Sequence, residues 1–178
     1  HEVPHIQLAD GDVRVITGTW NEHVAQPAPS ASWANNPDNE VAIYILSVKA
    51  GGSVELPTSS SDANRMMYHI DGGIATVESH KLKPTYGMEL YADQPTIIKA
   101  GEDDVRVLIL QGKPIGEPVS KHGPFVMNTV EEIYQAFSDY RRTEFGGWPW
   151  GPSDIVHPRE QGRFAKMGDG RSIVPPQS

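Results

Sequence analysis

Apolar and polar positions alternate along most of the chain in short runs, and this pattern predicts β-strands rather than helices. The runs are separated by Gly, Pro, Asn and Asp, which favour turns. Neither an internal repeat nor an alternation of strands with helices is visible, so the spacing is typical of a sandwich or small barrel. The predicted strands are Val13–Gly18, Val41–Lys49, Val54–Leu56, Met66–Ile70, Ile74–Glu78, Met88–Tyr91, Thr96–Lys99 and Val105–Leu110.

Turn and loop signals connect these strands. Asp71-Gly72-Gly73 separates the strands Met66–Ile70 and Ile74–Glu78, and an Asp-Gly pair between two apolar runs predicts a β-hairpin. Residues 21–39 are polar and rich in proline, which predicts a loop at one rim of a barrel. We expect a second, serine-rich loop at residues 57–62.

One segment changes to helical periodicity. Thr129 is followed three residues later by Glu132, which is the spacing of a capping box. The pattern predicts a single convincing helix over Thr129–Arg142. One face of that helix carries the apolar residues Val130, Ile133, Phe137 and Tyr140.

The residues before this helix form a specific motif within Gly112–Tyr140. His122-Gly123-Pro124 is a turn signal, and Phe125–Met127 is a short apolar segment. The motif closely resembles the C-terminal segment of the pirin family, G-x-P-x-x-E-P-V-x-x-H-G-P-F-V-M-N-T-x-x-E-I. The matching residues are Gly112, Pro114, Glu117, Pro118, Val119, His122, Gly123, Pro124, Phe125, Val126, Met127, Asn128, Thr129, Glu132 and Ile133.

The resemblance implies a fold, and it implies different roles for the two barrels of the family. Pirins are bicupins, and their N-terminal barrel holds iron or another divalent transition metal on three His and one Glu. Some members are quercetin 2,3-dioxygenases, and the human member is a nuclear transcription cofactor. For this chain the resemblance implies an all-β, cupin-type double-stranded β-helix barrel with one C-terminal helix and an extended tail. Residues 13–143 would be the C-terminal cupin barrel plus helix, residues 1–12 a lead-in or linker, and residues 144–178 a Pro/Gly/Trp-rich tail.

The predicted tail contains Trp148 and Trp150 on either side of a proline. Disordered tails are usually poor in aromatic residues, so this piece is expected to dock onto a surface, whereas the last several residues are not. In a two-barrel family, that surface would belong to the N-terminal cupin or to another subunit.

Composition narrows the function classes. The 178 residues contain no cysteine, which excludes disulfides, zinc-cysteine sites and thiol catalysis and fits a cytoplasmic protein. No apolar run approaches the roughly 20 residues needed to span a bilayer, and the first residues lack a signal-peptide pattern. The net charge of −8 argues against direct nucleic-acid binding. A local basic patch is the weaker alternative, with Arg141, Arg142, Lys166 and Arg171 as its candidates.

The cupin metal motifs do not fit this chain. Laying G-x5-H-x-H-x3–4-E-x6-G on Gly52 to Gly72 puts Thr58 and Ser60 at the His positions and Arg65 at the Glu position. Hydroxyl groups do not replace imidazoles as ligands, and a guanidinium would bring positive charge toward a cation. The second motif lacks its ligand because no His lies between His80 and His122. We therefore expect no metal, no other cofactor and no catalytic residue in this barrel.

Several residues keep a weaker functional alternative. His69, Glu78 and His80 would form a two-His, one-carboxylate set if the predicted hairpin brought them together, although a lone His on a strand is more often packed or exposed. His122 is interpreted as a ring that hydrogen-bonds a turn or strand end rather than as a catalytic base. Glu102-Asp103-Asp104 is expected to be a solvated turn rather than a calcium site. Ser59–Ser61 has a loop composition and lacks a nucleophile elbow.

Three hypotheses follow from these observations. The first is a non-catalytic C-terminal cupin that supports a metal-bearing N-terminal cupin or contacts another partner. The second is that the intact protein is a quercetinase-like dioxygenase whose metal lies outside this chain. The third and weakest is an independent metal-binding cupin that uses His69, Glu78 and His80. A lone second barrel would expose apolar interdomain surface, so we also expect association.

Overall fold

The structure is a computed structural model that describes residues 3–148 and 157–175. Within these residues most of the regular secondary structure consists of β-strands in antiparallel sheets, with one α-helix, so the all-β prediction is confirmed. The strands of residues 1–116 are β1 (His5–Leu8), β2 (Gly11–Thr17), β3 (Thr19–Trp20), β4 (His23–Val24), β5 (Ala42–Val48), β6 (Ser53–Leu56), β7 (Asn64–Gly72), β8 (Ala75–Val77), β9 (His80–Leu82), β10 (Gly87–Tyr91), β11 (Thr96–Ala100) and β12 (Val105–Gly112). Later elements are β13 (Ser120–His122), β14 (Phe125–Met127), α1 (Val130–Thr143), β15 (Ala165–Lys166) and β16 (Ser172–Ile173).

Two compact units divide the chain, residues 1–116 and residues 117–178. The first unit contains a six-stranded antiparallel sheet in the order β1-β2-β5-β12-β7-β10 and a four-stranded sheet in the order β6-β11-β8-β9. Apolar side chains from both sheets form one buried core, which includes Val13, Leu46, Met67, Ile98 and Ile109. The predicted domain bounds 13–143 and 144–178 stay predictions.

Strict alternation decides which side chains of the larger sheet face the core. On β7 the side chains of Arg65, Met67 and His69 are buried, whereas Tyr68 and Ile70 between and beyond them are exposed. Because side chains alternate between the two faces of a strand, Arg65 is carried inward by the same period that buries Met67. A polar residue is thereby placed on the inner face of the sheet.

The predicted hairpin between Met66–Ile70 and Ile74–Glu78 is wrong. β7 pairs with β12 and β10, whereas β8 belongs to the other sheet and pairs with β9 and β11. The chain crosses between sheets at Gly72, whose φ of 98° and close approach to Asp104 exclude any side chain. The Asp-Gly pair therefore marks a crossing, and the true hairpin nearby is β8–β9, in which Val77 opposes His80.

The second unit begins with a small hairpin followed by the helix. β13 and β14 are joined at Gly123-Pro124, where Gly123 has a φ of 55°. Helix α1 starts at the predicted capping box, because Thr129 Oγ1 accepts from the Glu132 backbone N–H and the Glu132 carboxylate accepts from the Thr129 N–H. The predicted apolar face is only partly buried: Ile133 is 4% exposed, whereas Val130 is 52% exposed.

Aromatic rings connect the hairpin to the helix. Phe125 packs edge to face on Phe137 at a ring-centroid distance of 4.8 Å, and His122 contacts the same Phe137 ring at 5.6 Å. Tyr140 and Phe145 extend this packing at 5.4 Å from each other. We call these five residues the aromatic cluster. Edge-to-face packing of this kind stabilises beyond the area it buries.

Part of the predicted tail is ordered. β15 and β16 form a short hairpin, and the His157 ring lies 4.7 Å from Phe164, so the described tail is more structured than a simple extended segment. Trp148 is 51% exposed. The docking prediction for the Trp-Pro-Trp piece stays a prediction, because Pro149 and Trp150 lie outside the described residues, as do the last three residues of the chain. None of the described helices has the length and apolar character needed to cross a bilayer.

Candidate binding cavity

A cavity of about 770 Å³ lies within residues 1–116. The proline-rich rim loop, predicted from residues 21–39, supplies much of its wall through residues 24–28 and 34–37. Strands β5, β6, β7 and β12 supply further lining residues, among them Ala42, Tyr44, Leu56, Arg65 and Gln111. The lining is mixed, because polar residues of the loops, such as Asn35 and Asn36, stand beside the apolar ones. Small-molecule sites likewise combine apolar contacts with placed polar groups.

Arg65 is the most buried polar residue of this wall, at 2% exposed. Its Nε donates to Oε1 of Gln111 at 2.8 Å, and its Nη2 donates to the same oxygen and to the Pro57 carbonyl, the latter at 2.8 Å. Gln111 stands opposite Arg65 in the pairing of β12 with β7, so strand register creates the contact. Burial lowers the pKa of Arg65 below its usual range.

Gln111 extends the hydrogen bonds toward the rim. Its amide nitrogen donates to the Glu40 carbonyl at 3.1 Å and to Ser59 Oγ at 3.0 Å. Because the amide oxygen already accepts from Arg65, both ends of the Gln111 side chain are used. Gln111 therefore fixes Arg65 to the loops that border the cavity.

Glu40 connects these hydrogen bonds to Ser59, Ser60 and Lys113. Its carboxylate accepts from the Ser59 hydroxyl and from the backbone N–H of Ser60 at 3.0 Å, and it lies 3.0 Å from Lys113 Nζ. The Ser59 hydrogen bond, helped by Ser60 and Lys113, lowers the pKa of Glu40 to about 2 against the opposing effect of burial. Glu40 has a φ of 51°, a sparsely populated conformation for this residue type, and these contacts hold it there.

Tyr44 lies on the same wall and is 4% exposed. Its hydroxyl donates to the Thr19 carbonyl, and Trp20 packs against its ring at 5.2 Å. Burial raises the pKa of Tyr44 to about 12, with the Arg65 charge acting in the opposite direction. The phenol is therefore a neutral group rather than a base at neutral pH.

The residues at the cupin ligand positions do not fit a metal ion. Ser60 Oγ lies 2.7 Å from a Glu40 oxygen, and Arg65 brings a positive charge to the position where the motif requires a carboxylate. Thr58 lines the cavity but supplies only a hydroxyl. Among the described residues, no group of three His, Asp or Glu side chains is arranged to hold a metal ion.

The alternative ligand set is not brought together. His69 is 2% exposed, and its Nε2 lies 2.6 Å from the Gly73 carbonyl, so the ring is packed in the core. Glu78 and His80 are exposed on the β8–β9 hairpin. His122 belongs to the aromatic cluster, where its ring packs on Phe137. Its predicted role as a ring that hydrogen-bonds a turn or strand end stays a prediction.

The remaining sequence candidates have structural contacts. In the acidic turn 102–104, Asp104 Oδ1 accepts from the Ala50 backbone N–H at 2.8 Å. Two candidates for a basic patch are paired locally: Arg142 lies 2.8 Å from Asp139, and Arg171 lies 2.6 Å from Asp169. Ser59 is a hydrogen-bond donor to Glu40 and not a nucleophile poised by a base.

Sequence reasoning missed Glu40, Tyr44 and Gln111 as members of this site. The pattern alone could have found Gln111, because it continues the inward-facing series of β12 after Val107 and Ile109. Glu40 lies at the end of an irregular loop, where no periodicity indicates its partners. The contacts of Gln111 and Glu40 join residues that are far apart in the sequence. Arg65 and Gln111 are separated by 46 positions, and Gln111 and Glu40 by 71.

Similarities to known proteins agree with this architecture. A family model described as the pirin C-terminal cupin domain matches residues 43–146. A Pseudomonas aeruginosa protein named "Putative quercetin 2,3-dioxygenase" is 35% identical over 145 residues, covering 79% of this chain and 48% of that protein. A Caulobacter vibrioides pirin-like protein is 31% identical over 142 residues, again covering 79% of this chain and 48% of that protein. The chain thus spans about half the length of the curated relatives it matches.

Solved structures show the same fold. The crystal structure of a quercetin 2,3-dioxygenase from Acinetobacter baumannii matches with a TM-score of 0.67 at 24% identity, covering 82% of this chain and 48% of that one. This likeness confirms the cupin fold that the sequence predicted. The family model covers more than half of the chain and includes the hairpin and helix that carry the distinctive motif. This chain belongs to the pirin family, as its C-terminal cupin domain.

Proposed function

We propose that this cupin is metal-free and acts as the structural or interaction partner of a metal-bearing N-terminal cupin. The observation that carries the proposal is Arg65, which stands at the carboxylate position of the cupin motif. A guanidinium engaged with Gln111 and Pro57 has neither the charge nor the free lone pair of a metal ligand. A family that uses a metal would then hold it outside this chain.

Metal analysis of the purified chain tests the first half of the proposal. After incubation with iron, nickel or copper and gel filtration, we expect far less than one metal ion per chain. The matched variant Thr58→His/Ser60→His/Arg65→Glu restores the ligand types of the motif and should retain more metal than the wild type. One tightly bound metal ion per wild-type chain would overturn the proposal.

Exposed apolar side chains support the partner role. Within residues 117–148, Val119 is 73% exposed, Val126 is 63% exposed and Tyr134 is 70% exposed. Scattered exposed apolar residues are normal, but the buried core of an interface is more apolar than the rest of a protein surface. The N-terminal cupin, or another subunit, is the occupant that this proposal requires.

Association in solution tests that role. We expect light scattering to show a mass that rises with concentration, because the isolated chain lacks the partner that would cover this surface. Val126→Glu should reduce the association, whereas Tyr91→Glu, at a residue 81% exposed in the first unit, should not. A clean monomer at millimolar concentration would contradict the partner role and leave the metal analysis unaffected.

A second candidate is a part in a quercetin 2,3-dioxygenase-like, metal-dependent oxygenase. The name of the Pseudomonas aeruginosa relative favours it. If the proposal holds, this chain alone consumes no oxygen with quercetin, and activity requires an N-terminal cupin in the same protein. Oxygen uptake by the isolated chain above a heat-inactivated control would contradict this division.

A further inference from the structure

The cavity wall contains a buried cation whose hydrogen-bonding capacity is not filled. Arg65 uses Nε and Nη2 on Gln111 and Pro57, but its Nη1 has no partner among the described residues. A guanidinium has five N–H donors, and two of them are on Nη1. Buried donors without an acceptor are costly, so such a group is normally completed by another group or a bound molecule.

Arg65 also has no counter-ion among the residues that the structure describes. In the described part of the chain, no carboxylate lies within ion-pair distance of its guanidinium. Glu40 lines the same cavity, but its partners are two serines and Lys113, which lies 3.0 Å from Glu40 and 3.5 Å from Asp62. Glu55 also borders the cavity and is exposed to solvent. One negative group of a ligand would therefore be attracted by the unpaired charge of Arg65. Any further negative group would be repelled by the carboxylates of Glu40 and Glu55.

The rest of the wall specifies the remainder of the ligand. The apolar residues of the lining include Val24, Ala28, Ala42, Leu56 and Pro57, and polar loop residues such as Asn35 and Asn36 lie among them. A volume of about 770 Å³ is within the range of small-molecule sites. The wall thus offers apolar contacts to a small organic ligand that carries one negative group.

We propose that this cavity binds a small organic monocarboxylate, with the carboxylate on Nη1 of Arg65 and the apolar part against the rim loop and Leu56. Nη1 has almost no solvent-accessible surface, so binding requires a rearrangement of the wall that exposes it to the ligand, such as the side-chain rotations common at interfaces. The hydrogen bonds of Gln111 hold the guanidinium plane in place, which reduces the entropy lost on binding. This site is independent of any metal and of the proposed partner role.

The test is a titration of the ¹⁵N-labelled chain with benzoate and its neutral counterpart benzamide, followed by backbone amide shifts. Benzoate should bind about tenfold more tightly than benzamide, because its hydrogen bond to Arg65 is charge-assisted. Phthalate, which carries a second carboxylate, should bind less tightly than benzoate. The shifted amides should be those of the cavity wall, such as Ala28, Leu56 and Gln111.

Matched variants decide whether Arg65 is responsible. Arg65→Met should abolish the preference for benzoate over benzamide, whereas Arg106→Met, the same change at an exposed residue of β12, should leave it intact. Ala28→Trp should weaken the binding of both probes, because it places a large ring in part of the cavity while the Arg65 hydrogen bonds stay in place. Dispersed amide spectra report whether each variant folds. If Arg65→Met does not fold, the ratio of benzoate to benzamide affinity and the Ala28→Trp result still decide.

Four results would overturn the proposal. The first three are equal affinities for benzoate and benzamide, shifts confined to residues outside the cavity wall, and a preference for benzoate that survives in Arg65→Met. Absence of benzoate binding at concentrations up to tens of millimolar would overturn it as well. Metal content plays no part in these readouts, so failure of the proposed function and failure of this site are distinguishable.

Discussion

We call Arg65, Gln111, Glu40 and Ser59 the Arg65 network. This network of the first unit and the aromatic cluster of the second are stabilised by different physical means. In the network most polar atoms depend on a particular partner, and Gln111 Oε1 accepts from both Nε and Nη2 of Arg65. In the aromatic cluster the contacts are edge-to-face and partly exposed, with Tyr140 at 48% and Phe145 at 62%. Loss of one polar partner should therefore cost more than its contact area suggests, whereas loss of one ring should cost in proportion to its burial.

The two regions also differ because one identifies the family and the other contains the unusual chemistry. The hairpin and helix carry the motif that identifies the family, yet their described contacts are packing and capping contacts. The cavity wall carries the unusual chemistry but has no recognisable motif. Recognition of a family and location of its chemistry can thus depend on different segments of one chain.

The largest effect is expected for Gln111→Leu. This variant removes the neutral acceptor of two Arg65 donors, and donors of a buried charged group that lose their acceptor cost about 3 kcal/mol. The free energy of unfolding in urea should fall by about 3 kcal/mol. Arg65→Met/Gln111→Leu replaces both partners and should recover most of that loss. Gln7→Leu, at an exposed residue of β1, is the control. If its free energy of unfolding fell as far, the loss in Gln111→Leu would not come from Arg65, and the contrast with the aromatic cluster would not hold.

A smaller effect is expected for Phe137→Ala. The variant removes the ring that contacts both Phe125 and His122. Truncation of a fully buried Phe costs about 3–5 kcal/mol, and the partial exposure of Phe137 reduces the expected loss to about 2 kcal/mol. Tyr134→Ala on the same helix should change the free energy of unfolding by less than about 0.5 kcal/mol. Equal losses in the two variants would show that the cluster does not stabilise the second unit.

The smallest effect is expected for Glu40→Gln, and it depends on pH. The folded-state pKa of Glu40 is about 2, below the ordinary value of 4.5, so its carboxylate stabilises the fold above the ordinary pKa. That contribution disappears as the pH falls from about 4.5 toward 2. Solvent screening limits it to under about 1 kcal/mol at pH 7. Urea unfolding of wild type and variant at several pH values measures the difference, and a difference that is constant with pH would contradict this role.

The sequence predicted the strands and the helix because their signals are local. Val41–Lys49 and Val105–Leu110 are apolar runs that meet in the sheet as β5 and β12. The capping box at Thr129 and Glu132 lies within one helical turn, so its residues specify each other directly. Such local signals do not depend on tertiary contacts, so they predict the element whatever the rest of the fold is.

The crossing at Gly72 and the Arg65 network could not be predicted in the same way. An Asp-Gly pair fits a hairpin as well as a crossing, and the pairing of β7 with β12 decides between them. The motif register placed Arg65 at the ligand position but gave no indication of its partners. Gln111 and Glu40 approach it only when distant strands and loops come together.

The position of β12 has a consequence for the order of folding. This strand lies between β5 and β7, so the larger sheet is incomplete until the residues from Val105 onward are available. During synthesis both β5 and β7 present unpaired edges that invite association with other chains. Pairings so distant in sequence also require the closure of long loops, which slows folding. The strand that brings Gln111 to Arg65 is thus also the one that protects the nascent sheet.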